Sequence, residues 1–311
     1  MTDMRTAAVV VTWEGGATTE RCVASLLAQE IAPAPVIVVD NASGAAERVR
    51  LRAAYGNHPG VRLVLLDDNR QFAGGLNAGA AAAFAAGAAR VLLLNNDTVL
   101  APDCLRHLGS ALDQAPRAGI AGPRVLDRHD PSHVLSAGER HVLPLLCVPR
   151  TLLRYRPRSL EPYPASGVMG CAMLVTRACF EVAGGFAREI EVYYEDVDFC
   201  LTARARGFGA VIAPRAVVYH DGMRGFAAGL TPWAAFLKAR NPWLVVQRHG
   251  GLGSWLSFVP VYTAMVAASA GMYALRGQRG VVGGLLRGAL AGVRAVLGRG
   301  PAPVGPPARK V

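Results

Sequence analysis

Short apolar runs alternate with longer, alanine-rich stretches through the first hundred residues. The runs are continuously apolar and rich in β-branched residues, which predicts strands that are buried on both faces. These runs cover residues 7–13, 36–40, 61–66 and 91–95. The stretches between them predict helices near 18–29, 44–55 and 74–88. Strand and helix alternating at this pace predicts βαβ units, a mostly parallel central sheet and an α/β fold.

The pattern is less regular in the middle of the chain. Residues 122–165 are rich in Pro, Arg and His, which predicts loops and irregular strands. Residues 170–186 then predict a strand followed by a helix that ends at a glycine pair. A further strand runs to His220, and we expect Pro214 to break it.

The sequence YYEDVDFCLTARARG, residues 193–207, predicts an amphipathic helix that begins near Glu195. The buried stripe of that helix would consist of Val197, Cys200, Leu201 and Ala205. Its aromatic residues are expected to line a cleft, and they are Tyr193, Tyr194 and Phe199.

The last sixty residues differ in kind. Residues 250–274 carry no charge and are long enough to span a bilayer, although Pro260 interrupts them. Three alternatives stay open for them: a transmembrane helix, a helix in the membrane plane and an ordinary buried helix. The arginine-rich helix that follows fits binding to anionic lipid. We therefore divide the chain into a main domain (1–249), a helical membrane-associated segment (250–298) and a disordered tail (299–311).

The positive charge of the chain is concentrated near its C-terminal end. Its 33 Lys and Arg outnumber its 22 Asp and Glu, and no acid occurs after Asp221. Because the excess coincides with the apolar stretch, it indicates an anionic membrane surface as a partner, and no nucleic acid is expected. Six cysteines without CxxC spacing, and an N-terminus without signal-peptide features, predict a reducing cytoplasm and no zinc site.

Asp40 ends the second predicted strand, at the edge of the sheet where parallel sheets bind ligands. Its carboxylate could accept a hydrogen bond from a ribose hydroxyl or from a pyrimidine ring N–H. An NAD site places an acid in the same way, but it also needs a G-x-G-x-x-G turn, which does not follow the first strand. A turn with Asn41 and Ser43 is the third interpretation.

Two further segments could bind a diphosphate and its metal ion. NRQFAGGLNAG, residues 69–79, places a glycine pair at a helix start, where backbone N–H groups could approach a diphosphate or the glycines could serve close packing. Asp97 follows the fourth strand, with Asn95 on the same face of the chain, and both offer oxygen to Mg²⁺ or Mn²⁺. A simple turn is the alternative. His220 could add a nitrogen ligand or be structural.

Three carboxylates crowd the start of the helix near residue 195, and they are Glu195, Asp196 and Asp198. The helix dipole and capping explain one or two acids in a first turn. Three acids beside aromatic residues indicate a site. Asp196 is placed to face the cleft as a general base near an acceptor hydroxyl, and the other two would position the helix.

Taken in order, seven segments resemble the motif series of family 2 glycosyltransferases with the GT-A fold, and the rhamnosyltransferase-like branch in particular. They span about residues 6–248 and are VVVTWEGG, VIVVDNAS, NRQFAGGLNAG, LLLNNDT, GCAMLVTRACFEVAGGF, YYEDVDFCLTARARGFGAVIAPRAVVYHDG and KARNPW. The resemblance implies that the main domain is a GT-A glycosyltransferase domain.

The resemblance also implies roles for individual residues. Asp196 would be the catalytic base. The metal ligands would be Asp97, His220 and Asn95. The nucleotide sugar would be bound by Thr12, Trp13, Asp40, Asn69, Gly74, Gly75, Asn77 and Asn96. The acceptor or a phosphate would be contacted by Glu195, Arg240 and Asn241.

The chain departs from the family pattern at three positions. Glu14 stands where Asn commonly follows the aromatic residue, and Gln71 replaces a Gly of GFAGG. Ala187 replaces the Asp of the usual GGFD, an Asp that often approaches the acceptor. The last departure bears on which acceptor is used more than on whether the chain is active.

Residues and resemblance together predict an inverting glycosyltransferase that depends on Mg²⁺ or Mn²⁺. The donor would be a dTDP- or UDP-linked sugar, with L-rhamnose from dTDP-rhamnose as the specific expectation. The acceptor would be a hydroxyl of a lipid-linked saccharide or a cell-surface polysaccharide, at the cytoplasmic face of the cell membrane. Two alternatives stay open: a catalytically silent sugar-nucleotide binder at the membrane, and an NAD-dependent oxidoreductase.

Overall fold

The computed structural model describes residues 5–147, 159–221 and 230–298. Its strands are β1 (Thr6–Thr12), β2 (Val36–Asp40), β3 (Val61–Leu65), β4 (Arg90–Asn95), β5 (Thr98–Leu100), β6 (Ala118–Asp127), β7 (Val134–Ser136), β8 (Tyr163–Ala165), β9 (Ala172–Thr176) and β10 (Gly209–His220). Its helices are α1 (Gly16–Leu27), α2 (Ala45–Tyr55), α3 (Gln71–Ala85), α4 (Cys104–Gln114), α5 (Arg177–Ala183), α6 (Glu195–Ala205), α7 (Pro232–His249), α8 (Leu252–Leu275) and α9 (Arg279–Val296). The predicted tail, 299–311, lies outside the described residues.

The strands form one mixed sheet in the order β3-β2-β1-β4-β9-β6-β10-β5, with β7 on β6 and β8 on β10. β1 pairs in parallel with β2 and β4, and β2 does so with β3. β9 is inserted antiparallel between β4 and β6. The predicted α/β fold is confirmed. Parallel pairing holds across β3-β2-β1-β4 and between β6 and β10, whereas the other pairs are antiparallel. The carboxyl ends of β1, β2 and β4 meet at one edge.

Both faces of the central strands are buried, as their unbroken apolar runs predict. Val9 and Val10 of β1 are fully buried and belong to two different apolar clusters, one on each face of the sheet. α3 covers one face and α1 the other. This layering leaves the strand ends as the place where polar side chains can collect.

Pro214 does not break the last strand, so that prediction is wrong. β10 runs from Gly209 to His220, and its register on β6 shifts between Ala213 and Val217. The shift is a bulge that contains the proline, which cannot donate a ladder hydrogen bond. Because the bulge accommodates the proline, the strand continues to His220, which lies at the edge of the sheet where the predicted site residues collect.

Two expectations for α6 also need correction. Ala205 is exposed, and Ala203 is buried in its place. Phe199 does not line a cleft, because it is fully buried and stacks on Phe186 with ring centroids 4.6 Å apart. The first two turns of α6 are buried all round, so a single stripe does not describe them.

The C-terminal helices pack on one another. α9 lies along α7 through glycines, because a Cβ on Gly284 or Gly288 would collide with backbone oxygens of α7. α8 contacts α7 through Phe258 and Tyr262, whose hydroxyl donates to the carbonyl of Ala239 at 2.8 Å. Among the described helices, α8 alone has the length and composition to cross a membrane. Most of its surface is exposed.

Candidate active site

The turn between β4 and β5 carries the predicted metal ligands. β4 ends at Asn95, and β5 begins at Thr98, which pairs with His220 at the end of antiparallel β10. The turn therefore brings Asp97 against the imidazole, with Oδ1 of Asp97 3.1 Å from Nε2 of His220. The side-chain nitrogen of Asn95 lies 3.4 Å from the same Nε2. All three predicted ligands converge.

These three side chains fit a divalent cation. Among the described residues, Oδ1 of Asn95 and Oδ1 of Asp97 are buried and accept no hydrogen bond, and the imidazole that lies 3.1 Å from Asp97 is itself a predicted ligand. Two oxygens and an imidazole suit Mg²⁺ or Mn²⁺. Within the described residues, no three His, Cys, Asp or Glu side chains cluster as a metal site. Substrate phosphates would therefore have to complete the coordination shell.

The predicted base, Asp196, is held in the first turn of α6 and is 4% exposed. Its Oδ2 accepts a hydrogen bond from the N–H of Gly170 at 2.9 Å, and its Oδ1 accepts one from the N–H of Val197 at 2.8 Å. A Cβ on Gly170 would lie 2.9 Å from Cβ of Asp196. Two backbone donors thus fix the orientation of the carboxylate.

Residues 167–171 connect the base to the metal turn. The N–H of Asn95 donates to the carbonyl of Cys171 at 3.0 Å, one residue from the hydrogen bond that holds Asp196. Burial raises the pKa of the Cys171 thiol well above its usual value, and the charges of Asp97 and Asp196 raise it further. Residues 167–171 therefore join the turn that carries Asp97 to the carboxylate of Asp196.

Tyr193 and Tyr194 enter α6 in a strained conformation. Their φ angles are 63° and 72°, in the left-handed region, where a residue with a Cβ costs about 1–2 kcal/mol. Long-range hydrogen bonds hold them there. The Tyr194 hydroxyl donates to the carbonyl of Leu146 at 2.9 Å, and Nδ2 of Asn241 donates to the carbonyls of Val192 and Tyr193 at 2.9 and 2.8 Å.

Arg240 and Asn241 brace this turn. Arg240 donates to Oδ1 of Asn241 at 2.9 Å and to the carbonyl of Glu189 at 3.1 Å, and it pairs with Glu191 at 3.5 Å. Burial lowers the pKa of Arg240 and raises that of Glu191, and their attraction opposes both shifts. Asn241 is fully buried. Both side chains are enclosed by the backbone they support, and their contact with a phosphate or an acceptor stays a prediction.

The other two acids of α6 differ from the base in their surroundings. Glu195 is buried in the first turn beside Asp196. Oδ1 of Asp198 accepts a hydrogen bond from Nε of Arg248 at 2.7 Å and lies 2.8 Å from Nε2 of His249. Asp198 therefore ties α6 to the end of α7, which is a positioning role.

Near the end of β1, the predicted donor-site residues Thr12 and Asn96 form hydrogen bonds with each other and with Thr19. The hydroxyls of Thr12 and Thr19 are 2.8 Å apart, and Nδ2 of Asn96 lies 3.3 Å and 3.1 Å from them. Thr19 was not predicted. Trp13, the next residue after β1, is half-buried.

Asp40 makes the turn that was one of its three interpretations. Its Oδ1 accepts a hydrogen bond from the N–H of Ser43 at 3.1 Å, and its Oδ2 accepts one from Nε of Arg48 at 2.9 Å. A carboxylate has further lone pairs, so donor binding by Asp40 stays a prediction.

Asn41 organises the segment before α3, and sequence reasoning gave it no such part. Its Nδ2 donates to Oδ1 of Asn69 at 3.1 Å and to the carbonyl of Gln71 at 2.9 Å. Its Oδ1 accepts from the N–H of Arg70 at 2.9 Å. Asn69 is therefore placed by β2 as well as by its own loop.

The glycine pair of α3 serves packing. A Cβ on Gly75 would lie 2.6 Å from Cγ1 of Val11, and one on Gly74 would lie 2.6 Å from Cβ of Arg70. Asn77 exchanges two hydrogen bonds of 2.9 Å with the backbone of Phe186. Contact of these three residues with a nucleotide sugar stays a prediction.

A sequence model of the glycosyltransferase like family 2 matches residues 4–245, most of the chain. The chain belongs to family 2 of the glycosyltransferases. It is similar to N-acetylglucosaminyl-diphospho-decaprenol L-rhamnosyltransferase of Mycobacterium tuberculosis, with 30% identity over 78% of this chain and 84% of the relative. It is also similar to dTDP-rhamnosyl transferase RfbF of Shigella flexneri, with 24% identity over 60% of this chain and 59% of that protein. This glycosyltransferase is thus rhamnosyltransferase-like.

Solved structures confirm the GT-A fold of this glycosyltransferase. The mannosyltransferase PcManGT of Pyrobaculum calidifontis, in complex with GDP-Man and Mn²⁺, matches with a TM-score of 0.59 over 93% of this chain and 87% of its own, at 19% identity. GalNAc-T7 with UDP, GalNAc and Mn²⁺ matches with a TM-score of 0.56 over 84% of this chain and 54% of its own, at 15% identity.

Two departures of this glycosyltransferase from its family pattern lie in left-handed backbone. Glu14 has a φ of 52° and Gln71 a φ of 57°. Asn and Gly, the residues of the family pattern, are the ones that tolerate this region. The carboxylate of Glu14 accepts a hydrogen bond from the N–H of Gly44 at 2.6 Å. Ala187, the third departure, is half-buried against the apolar cluster that joins α6 to α7.

A buried acid and imidazole near the base also escaped sequence reasoning. Nε2 of His141 lies 3.4 Å from Oε2 of Glu139, and each side chain is 3% exposed. Glu139 and Gly167 exchange two backbone hydrogen bonds, and the His141 ring fills the space where a Cβ of Gly167 would lie. Two polar residues at spacing two share one face of an extended chain. That signal was available, but the segment predicted only loops.

Proposed function

We propose that this glycosyltransferase transfers L-rhamnose from dTDP-rhamnose to a hydroxyl of a lipid-linked saccharide. The names of two relatives supply the donor and the kind of acceptor: one is a dTDP-rhamnosyl transferase, and the other transfers L-rhamnose to an N-acetylglucosaminyl-diphospho-decaprenol. The observation that carries the proposal is the carboxylate of Asp196, which two backbone N–H groups hold next to the segment that hydrogen-bonds to Asn95.

In the transfer step, Asp196 takes the proton of the acceptor hydroxyl as its oxygen attacks the anomeric carbon of the donor sugar. The bond from that carbon to the nucleotide diphosphate breaks on the opposite side, so the configuration inverts. The electron pair of the broken bond leaves on the diphosphate. The fixed orientation of the carboxylate keeps the proton acceptor in place for the attack.

Asp97, Asn95 and His220 would hold Mg²⁺ or Mn²⁺. The cation would supply positive charge to the leaving diphosphate. Support comes from the two buried oxygens without a hydrogen-bond partner and from the Mn²⁺ in two structural neighbours.

The nucleotide would lie across the ends of β1 and β2. Thr12 and Trp13 would line its pocket, Asp40 would accept a hydrogen bond from its base or ribose, and Asn96 would lie beside them. Asn69, Gly74, Gly75 and Asn77 would border the same pocket at the start of α3. The meeting of these strand ends supports the arrangement.

The exposed faces of α8 and α9 would rest on the cytoplasmic face of the cell membrane, and residues 250–298 would form the membrane-associated segment. Leu252 and Leu256 of α8, and Leu286 and Leu290 of α9, are at least half exposed. Because Phe258 and Tyr262 fix the middle of α8 to α7, the helix favours an orientation in the membrane plane over one across it.

A nucleotide-release assay tests the proposal. Purified enzyme is given dTDP-rhamnose, UDP-sugars or GDP-sugars, with Mg²⁺, Mn²⁺ or chelator, over a membrane extract as acceptor. We expect release of dTDP that needs both cation and acceptor, and a loss of at least 100-fold in Asp196→Asn. Asp130→Asn, at an exposed loop carboxylate, is the matched control. Full turnover in Asp196→Asn would place the base elsewhere.

The same assay separates the remaining alternative. A silent binder at the membrane would bind the donor, detectable by calorimetry, and would release no nucleotide with any acceptor. Membership in the family removes the NAD-dependent oxidoreductase.

A further inference from the structure

An aromatic cluster beside the base takes no part in the transfer step described above. The rings of Tyr193 and Trp233 have centroids 6.4 Å apart and are tilted by 56°, and both side chains are half-buried. Nζ of Lys238 lies 4.8 Å from the centroid of the Tyr193 ring. Tyr193 precedes Asp196 by three residues. The cluster therefore forms a wall close to the base.

The position of Tyr193 is fixed relative to the acidic start of α6. Burial raises the pKa of its phenol, and the charge of Glu195 raises it further. Asn241 holds its backbone carbonyl. The predicted donor residues lie at the ends of β1, β2 and β4 and at the start of α3, whereas Trp233 and Lys238 lie on α7. The cluster therefore belongs to the acceptor side of the base.

The indole of Trp233 gives independent evidence that a ligand binds at this cluster. Its indole N–H is buried and has no hydrogen-bond partner among the residues that the structure describes. Buried donors in native proteins are nearly always paired, and a lone one calls for an explanation. An oxygen atom of a bound molecule beside the ring would satisfy it.

We propose that Tyr193, Trp233 and Lys238 form a subsite for a pyranose ring of the acceptor saccharide. Aromatic faces pack well against the apolar C–H face of a sugar, and Tyr and Trp combine an apolar body with a polar tip. The indole N–H and the Lys238 ammonium donate to hydroxyl or acylamino oxygens on the ring edge. The subsite rests on the proposed function in that it presumes a saccharide acceptor.

The place of the subsite in the fold supports this occupant. Trp233 and Lys238 lie on α7, the helix against which α9 packs through its glycines. A saccharide linked to lipid would reach the base from the membrane side, and α7 lies between the two. The sugar next to the accepting hydroxyl would then meet these rings first.

Binding without turnover gives the most direct test. Saturation-transfer NMR is recorded with a panel of methyl pyranosides: N-acetylglucosaminide, glucoside, galactoside, mannoside and rhamnoside. We expect at least one to receive saturation from aromatic protons of the wild-type enzyme. Trp233→Ala should weaken its binding about tenfold, and Trp233→Phe, which keeps a ring and loses the N–H, about threefold. Trp255→Phe, an indole on α8 that packs on Trp243, should change nothing.

Two results would overturn the subsite. One is that no pyranoside of the panel binds the wild-type enzyme. The other is equal binding in wild type and in Trp233→Phe or Lys238→Ala, each shown to be folded by circular dichroism, which covers the case that Trp233→Ala fails to fold. The proposed function is tested by a different measurement, which is the release of dTDP from dTDP-rhamnose. Pyranoside binding is measured without any donor, so the two proposals can fail separately. Pyranoside binding that depends on Trp233 would stand even if that donor were wrong.

Discussion

Gln71 is the clearest case of a residue at odds with its own backbone. Its φ of 57° costs a residue with a Cβ about 1–2 kcal/mol, and glycine avoids that cost while losing more entropy on folding. We therefore expect Gln71→Gly to raise the free energy of unfolding by about 0.5 kcal/mol. Urea denaturation measures the change.

Gln71→Ala is the matched control for this substitution. It removes the same polar group but keeps the Cβ, so we expect no gain. An equal gain in both variants would show that the side chain, and not the backbone, is the source of the cost.

Gly167 gives a second residue-level prediction. A Cβ there would collide with the His141 ring, so Gly167→Ala should displace residues 167–171 and with them the N–H that holds Asp196. We expect a destabilisation of about 1–3 kcal/mol and a lower kcat. In the double variant with His141→Ala the collision is gone, and we expect part of the stability to return.

Gly251→Ala is the control for the general effect of adding a methyl group, because nothing lies within 4 Å of its Cβ position. If the double variant were as unstable as the sum of the two single variants, the collision would not be the cause.

The sequence alone predicted that the candidate metal ligands lie together, but it did not predict the residues that support them. Asp97 follows the end of β4 and His220 ends β10, and polar residues after strand ends collect at one edge of the sheet, so their proximity follows from the pattern. The antiparallel pairing of β5 with β10, which brings the two side chains into contact, was not predicted. The left-handed turn at Tyr193 could not be predicted, because Asn241 imposes it from 48 residues away in the chain. The role of Asn41 could not be predicted for the same reason, because only the tertiary fold brings Asn69, Arg70 and Gln71 to its side chain.

At the scale of elements, the packing of α9 on α7 depends on the absence of side chains. A Cβ on Gly288 would collide with the carbonyl oxygen of Phe236, so Gly288→Ala should push the helices apart. We expect a loss of about 1–3 kcal/mol in the free energy of unfolding. We also expect lower turnover, because α7 carries the brace of the base.

Gly283→Ala, on the same helix, provides the comparison. The nearest atom to its Cβ position is 3.4 Å away, at the end of the flexible Arg287 side chain. Because alanine favours helix more than glycine does, we expect a gain of up to about 1 kcal/mol. A similar loss in both variants would mean that helix–helix contact is not what Gly288 protects.

The helices and strands follow from the sequence where a single hydrophobic pattern runs through the whole segment. The continuous apolar runs of β1, β2 and β4 placed those strands within two residues of their observed ends. The prediction failed at β10 and α6, because contacts with neighbouring elements determine the structure of these two segments. The Pro214 bulge is absorbed by pairing with β6, and α6 is enclosed on all sides, so neither local rule applies.

At the scale of the whole molecule, the exposed leucines of α9 and the C-terminal arginines predict binding to anionic bilayers. We expect the enzyme to float with phosphatidylglycerol vesicles, to do so less with phosphatidylcholine vesicles, and to be released by high salt in part. The double variant Leu286→Gln and Leu290→Gln should bind vesicles about tenfold more weakly, because two leucine side chains that would be buried in the lipid are lost.

Val49→Gln is the control, because Val49 is 65% exposed on α2, away from these helices. Flotation that is equal in the leucine variant and in the wild type would place the membrane contact elsewhere or remove it.

The glycine contacts between α9 and α7 also set a length. With α9 on a bilayer, as proposed above, α7 and α9 would separate α6, which carries Asp196, from the lipid headgroups. A lipid-linked sugar chain offers each of its hydroxyls at a different distance from the membrane, so this separation would favour one hydroxyl over the others. It would let the enzyme select the sugar to be extended by its distance from the membrane as well as by its shape.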